Sequence, residues 1–265
     1  MPQPQARGTP AGRPGRQSAG AMQAILAVTA PFFALVLCGY LAARRGLLAE
    51  SAIPGLNTFV LFFALPCMLF RFGAGLPLGQ LFNPFVVAVW LPVAVAVVGI
   101  TVLTTRGAAV GLRDAAFGAL VAAFPNSGFM GVPLLAALMG PAAAGPVIAT
   151  VLVDMVFTSS LCIALSQLQG AGEHGARDAA LRALRGTLSN PLGWAILLGG
   201  AASGLGLVLP GPAARIVGML ADSATPVALF TIGAVLWRAG QHAHTRTPPA
   251  QYLPVALIKL LLHPL

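Results

Sequence analysis

The stretch AFPNSGFMGVPLL, residues 122–134, places polar and helix-breaking residues in the middle of a long apolar run. Pro125 has no amide N–H and clashes with the preceding turn, so it breaks or kinks a helix. The glycines that follow permit unwinding, and Asn126 supplies a carbonyl oxygen and two N–H donors. Backbone groups freed by such a break need partners, because lipid offers none. We therefore predict a binding site formed by Pro125, Asn126, Ser127 and Gly128.

The residues after the break would begin a new half-helix, whose free amides and positive dipole end favour an anion. Interrupted helices of this kind form the midplane binding sites of secondary transporters. A proline kink that serves only helix packing is the alternative. Two prolines, two glycines and one asparagine within nine residues favour the binding site.

Asp154 lies near the middle of a later apolar run, in the stretch VLVDMVF. An acid at this depth is costly and usually faces the protein interior or a water path. Two interpretations carry equal weight. Asp154 is either a functional group, which couples a proton or cation or serves as a polar partner of the break, or a neutral packing residue held by hydrogen bonds.

Three further residues could line the same path. Asn57 and Pro66 lie in the second apolar run, and helix packing is the default interpretation for both, although Pro66 kinks the helix. Asp222 lies in LADSATPVALF, beside Ser, Thr and Pro residues. Because Ser and Thr can bond back to carbonyls of their own helix, a structural role is favoured for Asp222.

Composition places all of these residues in a membrane. The chain has 265 residues, of which 57% are hydrophobic and only 8% charged, whereas soluble domains carry about 25% charged residues. We therefore expect an all-α integral membrane protein in a lipid bilayer. The net charge of +9 could suggest nucleic acid. The basic residues are scattered through short loops between apolar runs, however, so nucleic acid is not an expected partner.

The sequence contains no enzymatic or metal-binding pattern. It has no HExxH, no CxxC and no glycine-rich phosphate loop. The cysteines Cys38, Cys67 and Cys162 lie inside apolar runs and show no disulfide or metal-ligand spacing. No enzyme activity, cofactor or metal ion is therefore expected.

Apolar runs of about 20 residues mark candidate membrane spans. Seven complete runs and the start of an eighth follow a basic, Pro- and Gly-rich tail at residues 1–21, which is disordered by composition. The one sizeable hydrophilic loop in the sequence, residues 168–187, follows the fifth run. The runs cover residues 23–43, 52–71, 84–104, 114–139, 143–167, 188–208, 214–237 and about 250 to the end.

Basic residues predict how the spans are oriented in the inner membrane. The loops after the odd-numbered spans contain nine arginines, and those after spans two, four and six contain two. The positive-inside rule places the first set in the cytoplasm and the N-terminus outside. The arginines of residues 1–21 oppose this orientation. Either this tail is translocated despite its charge, or the native chain begins at Met22, which is the interpretation that we favour. The nine are Arg44, Arg45, Arg106, Arg113, Arg177, Arg182, Arg185, Arg238 and Arg246, and the two are Arg71 and Arg215.

The last apolar run, QYLPVALIKLLLHPL, ends at Leu265. It stops before reaching the ~20 residues that a helix needs to cross a bilayer. We therefore expect the sequence to be truncated, either as a fragment or by an interrupted reading frame.

Five segments resemble the auxin efflux carrier family in order and spacing, over residues 22–265. This family includes the plant PIN proteins and bacterial permeases often described as transporters of malonate or other organic acids. The most specific of the five segments is the one around PNSGFMGVPLL. The segments are MQAILAVTAPFFALVLCGYLAARRGLL, LNTFVLFFALPCMLF, AFPNSGFMGVPLL, SNPLGWAILLG and KLLLHPL.

The resemblance implies ten spans in two inverted five-span repeats, of the bile-acid and sodium/proton antiporter type, with both termini outside. Residues 22–167 would form the first repeat, residues 168–187 a cytoplasmic loop, and residues 188–265 an incomplete second repeat. Two broken helices would cross at the substrate. Pro125 would then be the crossing proline and Asn126 the substrate-facing amide.

The family also divides into a scaffold and a moving part. Spans one, two, six and seven would form the scaffold, and spans three to five and eight to ten the moving part. Asp154 would then belong to the moving part. Asn57, Pro66 and Asp222 would belong to the scaffold and face the path.

We therefore expect a secondary transporter of a small organic anion, such as a mono- or dicarboxylate, that works by elevator-type alternating access. Relatives suggest a homodimer, and proton or sodium coupling stays open. One alternative is a truncated, non-transporting carrier fragment or membrane scaffold protein. Another is a membrane-embedded enzyme, which would need clustered acids or histidines instead of the isolated Asp154 and Asp222.

Overall fold

The computed structural model describes residues 14–107, 109–168, 191–241 and 248–264, with a few positions between 181 and 189. Its regular elements are helices. In chain order they are α1 Pro14–Arg44, α2 Ile53–Phe59, α3 Leu65–Ala74, α4 Leu78–Leu81, α5 Pro84–Thr105, α6 Leu112–Ala123, α7 Val132–Met139, α8 Ala144–Val153, α9 Ser159–Gln167, α10 Pro191–Gly204, α11 Gly211–Gln241 and α12 Pro249–Leu257.

Helical turns of the wider π type interrupt or extend this series. Val60–Ala64 joins α2 to α3, Ser127–Gly131 leads into α7, and Asp154–Thr158 joins α8 to α9. Ile258–Leu262 continues α12. A π turn bonds residue i to residue i+5, and such turns occur frequently at functional sites.

Six segments of the described chain are long and apolar enough to cross a membrane. They match the first five predicted spans and the seventh. The described helix of the predicted sixth span, α10, covers Pro191–Gly204 and ends before Gly206, whose φ is +62°. The number of spans therefore stays a prediction. The six segments are Ile25–Arg44, Glu50–Ala74, Leu78–Thr105, Leu112–Met139, Ala144–Gln167 and Gly211–Gln241.

The first helix begins earlier than the sequence pattern indicates. α1 starts at Pro14, so residues 14–21 of the predicted disordered tail are helical. Helix propagation from the apolar span explains the difference, because each added residue gains one backbone hydrogen bond without a new nucleus. Proline is tolerated in a first helical turn. Residues 1–13 and most of the predicted loop 168–187 lie outside the described residues.

Two helix pairs pack at backbone contact through glycines. A Cβ atom on Gly39 of α1 would collide with the carbonyl oxygen of Phe230 on α11, and one on Gly233 with that of Val36. The pair α3 and α10 repeats this arrangement. There a Cβ atom on Gly199 would collide with the carbonyl oxygen of Phe70, and one on Gly73 with that of Ile196.

The two glycine contacts are related by a constant spacing in the chain. Residues 39 and 199 lie 160 positions apart, and so do residues 73 and 233. Turns that end helices follow the same spacing. Gly46 after α1 and Gly206 after α10 both have positive φ, at +71° and +62°. The amides of Leu47 and Leu207 then bond carbonyls five residues back, at 3.0 and 2.8 Å.

Small side chains keep the rest of the interior closely packed. One buried cluster joins Ala64 and Met68 to three alanines of α11. Another joins Leu69 to α8 and α10, and a third joins α5 to the alanine-rich face of α6. The helices of the fourth and fifth spans are thereby fixed against α3 and α5, where the site described next is formed.

Candidate functional site

The interruption predicted at Pro125 is present. α6 ends at Ala123, and Phe124 adopts an extended conformation with φ −100° and ψ 98°. Asn126, with φ −81° and ψ 49°, precedes the π turn that leads into α7. Pro125 lacks an amide N–H and cannot continue a helical hydrogen-bond ladder. The fourth span is therefore two half-helices joined by a short extended segment.

Side chains from the end of the described chain bind the carbonyl end of this break. The Nζ atom of Lys259 donates to the carbonyl oxygens of Val121 at 2.5 Å and Phe124 at 2.7 Å. The Nε2 atom of His263 lies 3.1 Å from the carbonyl oxygen of Ala123. The last carbonyls of a helix lack helical partners and carry the negative end of its dipole. The positive charge of Lys259 is therefore favourable at this position.

The amide end of the break is left open. The carbonyl oxygen of Asn126 accepts the amides of Met130 and Gly131, each at 3.1 Å. The amides of Ser127, Gly128 and Phe129 have no acceptor in the described part of the chain. These three N–H groups form the first turn of the second half-helix. They lie where the helix dipole favours negative charge.

A cavity of about 310 Å³ lies beside the break. Asn126 provides an amide side chain, and Asp154 and Lys259 are its ionisable lining residues. The rest of the lining is largely apolar, which suits the carbon skeleton of a small solute. The lining consists of Leu65, Met68, Leu69, Phe124, Pro125, Asn126, Gly128, Phe129, Val151, Asp154, Met155 and Lys259.

Asp154 is buried at this cavity, with only 1% of its surface exposed. Its Oδ1 atom accepts hydrogen bonds from the indole Nε1 of Trp90 at 2.9 Å and from the hydroxyl of Thr158 at 3.0 Å. Its Oδ2 atom has no hydrogen-bond partner within the described structure. A buried polar atom without a partner is costly, which marks Asp154 as a candidate functional group.

The π turns converge on the cavity. Gly128 and Phe129 belong to one turn, Asp154 and Met155 to another, and Lys259 to a third. Leu65 follows directly after the fourth turn, Val60–Ala64. The widened helical geometry therefore occurs around one volume, in agreement with the frequent occurrence of π turns at functional sites.

The structure brings together some of the predicted site residues and separates others. Pro125, Asn126, Gly128 and Asp154 line the cavity, and Ser127 lies between two of them in the chain. Pro66 is adjacent to the lining residue Leu65 but does not itself line the cavity. Asn57 is exposed on α2. Asp222 forms an ion pair with Arg71, N–O distance 2.6 Å, and both side chains are substantially exposed.

Three residues of the site were not predicted from the sequence. Lys259 and His263 contact the broken helix, and Trp90, which is half-buried, donates to Asp154. The ring of Trp90 also contacts that of His263, with centroids 5.7 Å apart. A signal was present for Lys259, because it is the only lysine in the sequence and lies within an apolar run. Such intramembrane charges are usually functional.

The arrangement offers donors and one fixed cation, but no metal centre among the residues that the structure describes. In that part of the chain, no group of three or more His, Cys, Asp or Glu side chains could hold a metal ion. The residues that line the cavity can bind a ligand reversibly through hydrogen bonds, charge and apolar contact. Free amides and Lys259 favour an anionic ligand.

Known proteins resemble this chain over nearly its whole length. The family model described as "Membrane transport protein" matches residues 24–265. A protein of Rhizobium meliloti (strain 1021) named "Putative malonate transporter" is 28% identical over 247 residues, which cover 92% of this chain and 75% of the relative. The "Uncharacterized transporter YfdV" of Escherichia coli (strain K12) is 25% identical over 240 residues, which cover 89% and 74%. The chain therefore belongs to the membrane transport protein family, which is the auxin efflux carrier family that its segments resemble.

Proposed function

We propose that the chain carries a small organic anion, such as a mono- or dicarboxylate, across the membrane, and that the break in the fourth span binds it. The observation that carries this proposal is the 310 Å³ cavity beside the break, lined by Pro125, Asn126 and Gly128. Lys259 occupies the carbonyl end of the break, whereas the amide end is open. A ligand at the open end should therefore be negatively charged.

The substrate class follows from the lining and from the relatives. A carboxylate would accept from the amides of Ser127 and Gly128 and from the Asn126 side chain. The apolar lining would surround the carbon skeleton. A relative is named for malonate, which makes a small dicarboxylate the first compound to test.

Uptake of radiolabelled malonate into proteoliposomes tests this function. We expect Asn126→Ala to abolish uptake while leaving expression intact, because it removes a carboxamide from the cavity. Asn57→Ala is the matched control, since the same substitution on exposed α2 lies outside the cavity. Normal uptake by Asn126→Ala would remove that residue from the site. Loss of uptake in Asn57→Ala alone would place the path beside Asn57 instead of at the cavity.

The reciprocal glycine contacts support an architecture of inverted repeats. If residues 22–167 and 188–265 are related by a pseudo-two-fold axis, α1 corresponds to α10 and the α2–α3 segment to α11. Under this relation, the contact of Gly39 with Phe230 in one helix pair is equivalent to the contact of Gly199 with Phe70 in the other, and both contacts are present. The contact of Gly233 with Val36 likewise becomes that of Gly73 with Ile196. The predicted loop 168–187 would connect the two repeats.

Transport would follow an elevator-type movement. The scaffold would consist of α1 to α3, α10 and α11, joined by the close glycine contacts. The moving part would contain α5 to α9 and α12, and Lys259 ties α12 to α6 within it. The cavity is lined from both parts, because Met68 lies on α3 and Asp154 on the moving part. A site between two bodies is what alternating access requires.

The orientation and assembly are part of the same proposal. The excess of arginines in the loops after the odd-numbered spans supports a cytoplasmic position for those loops and an external N-terminus, in the inner membrane. A homodimer is the proposed assembly, on the strength of the family. Cysteine accessibility from each side of right-side-out vesicles tests the orientation: an Arg45→Cys that reacts only from outside would reverse it.

A further inference from the structure

We propose that the cavity takes up one proton with each anion, with Asp154 carrying the proton and Lys259 supplying a fixed positive charge. This inference rests on the proposed function and names its coupling ion. The proton would come from water on the side to which the cavity opens and return to water on the other side. No covalent bond of the anion changes.

Two ionisable side chains, one acidic and one basic, line the cavity. They are Asp154 and Lys259. While Asp154 is ionised, the two charges cancel and the cavity is neutral. Once Asp154 is protonated, the cavity holds one uncompensated positive charge. Because the remaining lining is largely apolar, that charge is weakly screened and attracts an anion strongly.

The hydrogen bonds of Asp154 carry the second step. Its Oδ1 atom is satisfied by Trp90 and Thr158, whereas Oδ2 has no partner within the described structure. An ionised Asp154 would repel a carboxylate in the cavity that it lines. Protonation of Asp154 removes this repulsion. Protonation of Asp154 and binding of the anion therefore favour each other, and by linkage the effect is reciprocal.

Taking up a proton with the anion also keeps the net charge of the site constant through the transport cycle. The empty site contains one positive and one negative charge. With a monocarboxylate such as phenylacetate, the loaded site contains the positive Lys259, a neutral Asp154 and a singly charged anion. Both states are electrically neutral, which lowers the cost of moving the site through a low-dielectric region. An anion without a proton would leave the site with a net negative charge.

Other titratable groups near Asp154 define the controls. His263 contacts Trp90 and the carbonyl oxygen of Ala123, and histidine changes charge in the physiological pH range. The described elements packed around the site also carry Cys67 and Arg71 on α3, Arg113 and Asp114 on α6, Cys162 on α9 and Tyr252 on α12. A His263→Gln variant keeps a side-chain donor but removes the titration. A Glu50→Gln variant, on the exposed turn before α2, is the matched acid-to-amide control.

Isothermal titration calorimetry of the full chain in lipid nanodiscs tests the proposal, with malonate and phenylacetate as probes. Buffers of different ionisation enthalpy give the number of protons taken up. We expect about one proton for each phenylacetate bound, and affinity that weakens with rising pH by at most about tenfold per unit. Asp154→Asn should bind phenylacetate without proton uptake and independently of pH. Lys259→Met should bind it at least tenfold more weakly, and Lys259→Arg should restore binding.

Different outcomes overturn different claims. Phenylacetate or malonate binding without proton uptake by the wild-type chain, or uptake that persists in Asp154→Asn, refutes the coupling and leaves the anion site standing. Binding that requires sodium and takes up no proton assigns the coupling to sodium instead. If the affinity for phenylacetate loses its pH dependence in His263→Gln and keeps it in Asp154→Asn, His263 is the group that carries the proton.

Failure of both carboxylates to bind the wild-type chain refutes the transport function itself. The wild-type proton count decides the coupling even if a variant does not fold.

Discussion

The Nζ atom of Lys259 lies 2.7 Å from the carbonyl oxygen of Phe124, although 135 positions separate the two residues in the chain. This contact joins α12 to the carbonyl end of the broken fourth span. It satisfies backbone groups that the break exposes, and it brings the only lysine of the sequence to the cavity. The open amide end is thereby left as the part of the break that can bind a solute.

Replacing Lys259 should destabilise the break. Lys259→Met leaves the carbonyl oxygens of Val121 and Phe124 without their donor, which costs about 1–3 kcal/mol. We expect a lower apparent Tm, measured from the intrinsic fluorescence of the purified chain. Lys259→Arg retains charge and donors and should recover most of the loss. An unchanged Tm in Lys259→Met would show that the hydrogen bonds from Lys259 do not stabilise the break.

Chemical labelling can follow Lys259 directly, because an amine-reactive reagent has only this side chain and the N-terminal amine as targets. Since Lys259 lines the cavity, bound malonate should slow its modification. The N-terminal amine should react at the same rate with and without malonate, and it serves as an internal control. Mass spectrometry of time points gives both rates. Equal rates of Lys259 modification with and without malonate would show that malonate does not bind in this cavity.

The glycine contacts between the helix pairs should be sensitive to added volume. Gly39→Ala and Gly199→Ala each place a methyl group against backbone of the partner helix. Overpacking of this kind costs about 1–3 kcal/mol, so both variants should unfold more easily. Gly193→Ala is the matched control on α10, because nothing lies within 4 Å of the added Cβ. That variant should gain up to about 1 kcal/mol of helix propensity. Comparable stability of all three variants would argue against close packing at these contacts.

The ion pair between Asp222 and Arg71 should contribute little. Both side chains are partly exposed, Asp222 at 71% and Arg71 at 46%, and ion pairs that water reaches contribute at most about 1 kcal/mol. We expect Asp222→Asn to change the free energy of unfolding by less than this amount and to leave malonate uptake unchanged. Abolished uptake in this variant would return Asp222 to the transport path.

The local pattern of the sequence was sufficient to predict the helices and the break. Hydropathy identifies apolar helices because lipid excludes charge, and Pro125 interrupts a helix wherever the helix packs. Contacts between distant segments were not predictable in this way. Two examples are the hydrogen bond from Trp90 to Asp154 and the ion pair of Arg71 with Asp222. Both depend on how the helices pack against one another, and hydrophobic periodicity does not encode that packing.

The same limit applies to the environment of Asp154. Its depth in an apolar run pointed to a polar partner, but the sequence did not identify Trp90 and Thr158 as those partners. Thr158 lies one helical turn away in the chain, within reach of a local prediction. Trp90 lies on another helix, α5, so no local pattern in the sequence connects it to Asp154. The unpartnered Oδ2 atom became evident only from the packed structure.

An experimental map of the chain with bound malonate tests the central claim most directly. We predict density for a carboxylate group within about 3 Å of the amide nitrogens of Ser127 and Gly128, with the fourth span divided at Pro125. A continuous fourth helix, or malonate bound away from these amides, would contradict the account.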